Sequence, residues 1–171
     1  MRRNTPPLFT TYYTQKHMVN AQNTKVVAVT PPGAIVDNAA FTTATIDTVG
    51  YGYLTVLCIF GAMDIAMATL KAQESDSSNM SGAADITGAV YGTSTDISGA
   101  TSALPIDTAD NTIYAFEIAL GNGRKRYIDI SATGGDGSAG TYLTIVAILS
   151  RAKNPATTAA GRGLANILRV N

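Results

Sequence analysis

The side chains that could do chemistry in this 171-residue chain are few and widely separated. His17 is the single histidine and lies ahead of every strongly patterned stretch, so a serine or cysteine nucleophile in the body has no imidazole base beside it. No catalytic triad is expected. Cys58 is the only cysteine, which excludes an intrachain disulfide and a cysteine-built zinc site. The carboxylates Asp64, Glu74, Asp76 and Asp85 fall around proposed turns. Paired carboxylates would suit glycoside hydrolysis, but aspartate at turns and strand ends commonly serves local hydrogen bonding, and that is the preferred reading.

Two further stretches invite a ligand. Gly134-Gly135-Asp136-Gly137-Ser138-Ala139-Gly140 has the glycine content of a phosphate cradle or calcium repeat, yet it lacks the Gly-Lys-Ser/Thr ending, opens no helix and occurs once. A flexible hairpin loop is expected instead. Arg124-Lys125-Arg126 is the one dense basic cluster, and three cations beside a single tyrosine make a weak nucleic-acid footprint. A solvated strand end, or salt bridges to an acidic neighbouring subunit, is the better account.

Bulk charge points the same way. Lysine plus arginine and aspartate plus glutamate number 12 each, and charged residues make up 14% of the chain, which argues against phosphate neutralisation as a main task. A chain with no net charge has little self-repulsion to keep copies apart, which suits an assembled protein. No nucleic acid, metal or cofactor is expected. Tyr53 to Leu70 has the length of a membrane span, but Asp64 interrupts it, Gly61 and Ala62 break it and no basic flank marks its ends. The opening Met1-Arg2-Arg3-Asn4-Thr5-Pro6-Pro7 carries no apolar leader, so general secretion is not expected.

The elements that would position any site are strands. Eight β-branched and aromatic runs alternate with Gly, Asn, Asp and Ser clusters: Thr24 to Thr30, Phe41 to Asp47, Tyr53 to Phe60, Met67 to Glu74, Ile86 to Tyr91, Thr112 to Leu120, Lys125 to Ala132 and Thr141 to Leu149. Tyr114, Phe116, Ile118 and Leu120 share one face of the sixth run. The Gly121-Asn122-Gly123 turn predicts direct pairing of the sixth and seventh runs. The third and eighth runs are apolar on both faces and belong near sheet centres. One free sheet cannot bury both, so the sequence predicts an all-β, antiparallel two-sheet sandwich, jelly-roll-like, or a sandwich packed against partners.

Residues 1–23 and 152–171 lack a sustained period and read as extended N- and C-terminal arms flanking a domain at 24–151. Leu164, Ile167, Leu168 and Val170 have helical spacing over barely two turns, too little for an independent helix, so a docked arm is expected.

Several spaced segments between Thr45 and Ala152 carry a resemblance. They are Ile46-Asp47-Thr48-Val49-Gly50-Tyr51, Gly61-Ala62-Met63-Asp64, Leu70-Lys71-Ala72-Gln73-Glu74-Ser75-Asp76, Arg124-Lys125-Arg126-Tyr127-Ile128, the glycine-rich stretch, and Ala147-Ile148-Leu149-Ser150-Arg151-Ala152. Their order resembles a family of small virion proteins encoded near tailed-phage capsid genes. The resemblance implies a jelly-roll-like decoration (cement) protein, trimeric, made in the bacterial host cytoplasm and bound to the major capsid protein on the outer capsid surface. It implies no enzyme.

Such a protein needs a rigid body and arms whose ordering cost is met on docking, several modest contacts acting together. On this expectation the partner-binding residues are Phe9, Tyr12, Tyr13, Leu164, Ile167 and Leu168, because aromatic and large apolar side chains dominate interface energetics. The alternatives are another virion part, such as a head fibre base or tail protein, and a carbohydrate-binding jelly roll, which the absence of tryptophan disfavours.

Overall fold

The computed structural model describes residues 23–121 and 123–168. Nine strands are present: β1 (Lys25–Ala28), β2 (Ala34–Val36), β3 (Ile46–Asp47), β4 (Tyr53–Phe60), β5 (Thr69–Ser75), β6 (Ala84–Val90), β7 (Ile113–Ala119), β8 (Tyr127–Thr133) and β9 (Thr141–Ser150). They form two antiparallel sheets packed as a sandwich. One has the order β1-β9-β4-β7 with β2 also on β9, and the other has the order β3-β8-β5-β6.

β1 and β2 are two halves of one border strand. Both pair with β9, at Lys25↔Leu149 to Ala28↔Val146 and at Ala34↔Leu143 to Val36↔Thr141. Pro31 and Pro32 interrupt them because proline has no N–H to give a ladder. Thr30 bridges the gap: its Oγ1 receives the N–H of Ile145 at 2.8 Å. Counting this border once leaves eight strands, paired first with last, second with seventh, third with sixth and fourth with fifth. That is one long hairpin rolled up, the jelly-roll arrangement.

The roll explains where two expected hairpins fail. β7 pairs with β4 in the first sheet, and β8 pairs with β5 and β3 in the second, so these two successive strands lie in different sheets. The glycine-rich stretch likewise leads from β8 in one sheet to β9 in the other rather than closing a hairpin. Of the sequence-adjacent strands, β5 and β6 pair with each other.

The core lies between the inner faces. Leu54, Val56, Cys58 and Phe60 of β4, with Leu143, Ile145, Ala147 and Leu149 of β9, are buried against Leu70, Ala72, Ile128, Ile130 and Ala132 of the opposite sheet. Strict alternation makes this possible, since every second residue of a strand points to the same side. β7 follows the same rule, burying Phe116 and Ile118 and exposing Ile113, Ala115, Glu117 and Ala119.

Candidate interaction surface

The basic cluster and the carboxylates singled out for chemistry are engaged within the chain. Arg126 forms a two-pronged pair with Asp47, Nε to Oδ1 at 2.9 Å and Nη2 to Oδ2 at 2.7 Å, and lies over the Tyr127 ring. Arg124 reaches Glu74 at 3.5 Å and Lys125 reaches Asp76 at 3.7 Å. The basic cluster therefore finds carboxylates within this chain. Asp85 receives hydrogen bonds from Lys71 and Gln73.

The glycine-rich stretch is a nest occupied by the protein's own carboxylate. Backbone N–H groups of Ser138 and Ala139 donate to Asp64, and that of Gly137 donates to Asp37. These donors hold the Asp64 carboxyl below its ordinary range. The glycines permit close packing as well as turning. A Cβ on Gly135 would stand 2.2 Å from the Ala66 carbonyl oxygen, and one on Gly137 2.4 Å from an Asp64 oxygen.

Cys58 is fully buried, and burial pushes its thiol up to about 12. His17, Phe9, Tyr12 and Tyr13 lie outside the described residues. Among the described residues no group of three or more His, Cys, Asp or Glu could hold a metal ion, and no helix is long and apolar enough to cross a membrane.

A groove of about 500 Å³ opens between the border strands β6 and β7, with Val90, Tyr91, Ile97, Phe116 and Ile118 among its lining. Tyr91 packs edge-to-face with both Tyr114 and Phe116, at ring-centre distances of 5.3 and 5.1 Å.

The C-terminal segment leaves β9 and turns back on β1. Ala152 donates to the carbonyl of Asn23, and a 3-10 turn at Ala160–Arg162 follows. Gly163, at φ +71°, lies so close to β1 that a Cβ there would stand 1.8 Å from the Val26 carbonyl oxygen. Leu164 and Ile167 are half-buried, and Leu168 is 93% exposed.

What distinguishes this sandwich is the difference between its two outer faces. On the four-stranded sheet most outward positions are polar, with Lys71 and Gln73 of β5, Asp129 and Ser131 of β8, Asp85 of β6 and Asp47 of β3, while Val90 beside Lys71 and Tyr127 beside Asp47 depart from this. On the five-stranded sheet the register places Val26 beside Ile148 and Thr55, then Ala28 beside Val146, Leu57 and Ala115. The next rung holds Thr144, Ile59 and Ile113, and Ile35 pairs with Tyr142 beyond it. Ile35, Ile59, Ile113 and Tyr142 are 50%, 38%, 62% and 40% exposed. Two charged side chains lie on this face, both toward the same end: Glu117 accepts a hydrogen bond from the Tyr53 hydroxyl, and the Arg151 guanidinium lies over the Tyr53 ring.

The sequence reading anticipated the two-sided apolar character of β4 and β9 but not the face as a whole, because Ile35 and Ile113 join it only through register. No protein-family model, curated protein or solved structure matches the chain.

Proposed function

We propose that this chain is a structural virion protein that binds the outside of a tailed-phage capsid and stabilises contacts between major capsid subunits. The contrast between the two outer faces carries this reading. A largely polar face suits solvent, whereas a contiguous apolar face that is part-exposed among the described residues of a rigid sandwich suits contact with protein. The basic cluster and glycine-rich stretch are already satisfied internally, which favours a binding role over chemistry. The resemblance of the segments between Thr45 and Ala152 to small virion proteins supplies the capsid as partner.

On this proposal the sandwich is the rigid body of an oligomer, and the termini reach the major capsid protein. Phe9, Tyr12, Tyr13, Leu164, Ile167 and Leu168 are the proposed contacts. Leu168 is the clearest of those described, since a large apolar side chain in open solvent gains most from docking. Chains lacking residues 1–23 or 152–171 should occupy expanded capsids of the encoding phage less fully than the intact chain. Unchanged occupancy and capsid stability for both truncations would remove the role given to the termini.

A further inference from the structure

We infer that the outer face of the five-stranded sheet is the contact between copies of this chain. This rests on the structural role proposed above and names the partner that covers that face. Its chemistry selects the partner. A surface whose charged side chains, Glu117 and Arg151, are confined to one end offers little complement to a charged protein surface, and charged groups buried against the rest of it would be left unpaired. Another face of the same kind meets no such penalty, and the chain supplies one in every other copy. The formal net charge of zero adds no long-range repulsion between copies.

Size agrees with this assignment. Four strand columns at about 4.8 Å spacing, with outward rungs about 6.7 Å apart along β9, make a face of roughly 19 by 30 Å, or on the order of 600 Å². Two such faces would bury on the order of 1,200 Å², which reaches the range of stable specific interfaces.

The test uses the full chain at micromolar concentration, with mass read by light scattering after size exclusion. The wild type should run as a discrete dimer, since a face covered by its counterpart is used up at two copies. Ile113→Asp combined with Tyr142→Asp, both on exposed side chains, should reduce it to a single chain that keeps the wild-type β-sheet circular dichroism, whereas Ser131→Asp on the opposite sheet should leave the mass alone. Should the double variant fail to fold, Ala115→Cys gives an independent readout, because the native Cys58 is buried. Its labelling by a maleimide should slow in proportion to the assembled fraction, about tenfold where about nine chains in ten are assembled, and recover on dilution.

A monomeric wild type, or a folded double variant of undiminished mass, overturns the inference. Capsid binding separates this outcome from failure of the functional proposal. A discrete oligomer that ignores capsids would retain the interface and remove the capsid role. A monomer whose Ala115→Cys thiol becomes protected on capsids would do the reverse.

Discussion

The hydroxyl of Tyr91 stands where a neighbouring strand would otherwise lie: it donates to the carbonyl of Ala115 at 2.7 Å and receives the N–H of the same residue at 3.2 Å. β7 is a border strand, so its outward backbone groups would otherwise look to solvent or to a foreign chain. Tyr91→Phe keeps the edge-to-face contacts with Tyr114 and Phe116 and removes both hydrogen bonds. The expected loss is about 1 kcal/mol in urea unfolding, with faster hydrogen exchange at the Ala115 amide. An unchanged exchange rate there would contradict the assignment.

Gly163→Ala tests the docking of the C-terminal segment on β1. The added methyl would collide with the Val26 carbonyl, and φ +71° is itself strained for alanine by about 1 kcal/mol. The segment should lift away while the sandwich stays folded. Trypsin should then cut at Arg162, which is buried in the wild type, well before it cuts the strands. Equal cleavage rates for the two proteins would show that the contact does not hold the segment.

A pair of glycines separates close packing from turn chemistry. At Gly135 a Cβ would meet the Ala66 carbonyl oxygen at 2.2 Å and the Ile65 Cγ2 at 2.7 Å, whereas at Gly121 nothing lies within 4 Å. Gly135→Ala should cost about 1–3 kcal/mol and Gly121→Ala less than about 0.5 kcal/mol. Denaturant midpoints of the two variants check the difference, and similar values would reject it.

Acid should weaken the fold from a specific place. The N–H groups of Ala139 and Ser138 hold the Asp64 carboxyl below its ordinary range, and the Arg126 guanidinium does the same for Asp47. A depressed folded-state pKa gives stability that is present above the unfolded value, about 4, and lost as pH falls through the folded value. The denaturation midpoint should therefore hold steady from pH 7 to about 5 and decline below about 4. Asp64→Asn should be less stable at pH 7 and decline less steeply. A wild-type profile flat down to pH 3 would disprove this linkage.

Burial at Cys58 predicts a silent thiol. With its pKa pushed up to about 12 and no exposed surface, it should resist thiol reagents at pH 8 in the native state and react only as fast as the protein opens. Rapid labelling without denaturant would show that β4 opens locally.

Alternation made the strands legible. Tyr53 to Phe60 has the same bounds in sequence and structure, and the buried faces of β7, β8 and β9 follow the expected period of two. Partner choice was harder to read. Glycine turns permit chain reversal whether the next strand lies alongside or across the gap, and only long-range register decides which. β2 escaped notice because three half-exposed residues after Pro31-Pro32-Gly33 carry too little pattern. Of Phe41 to Asp47 only Ile46–Asp47 forms a ladder, since extended β-branched sequence does not guarantee a partner. Of the proposed contact residues, the three in the C-terminal segment are described, half-buried at Leu164 and Ile167 and open at Leu168.

The proline break between β1 and β2 bears on crowding. Two successive residues without an amide hydrogen leave that margin a poor template for a visiting strand, and at the far margin the Tyr91 phenol already occupies Ala115. Molecules held shoulder to shoulder at high local density are thereby discouraged from knitting into continuous fibrils, while broad-side contact stays open to them.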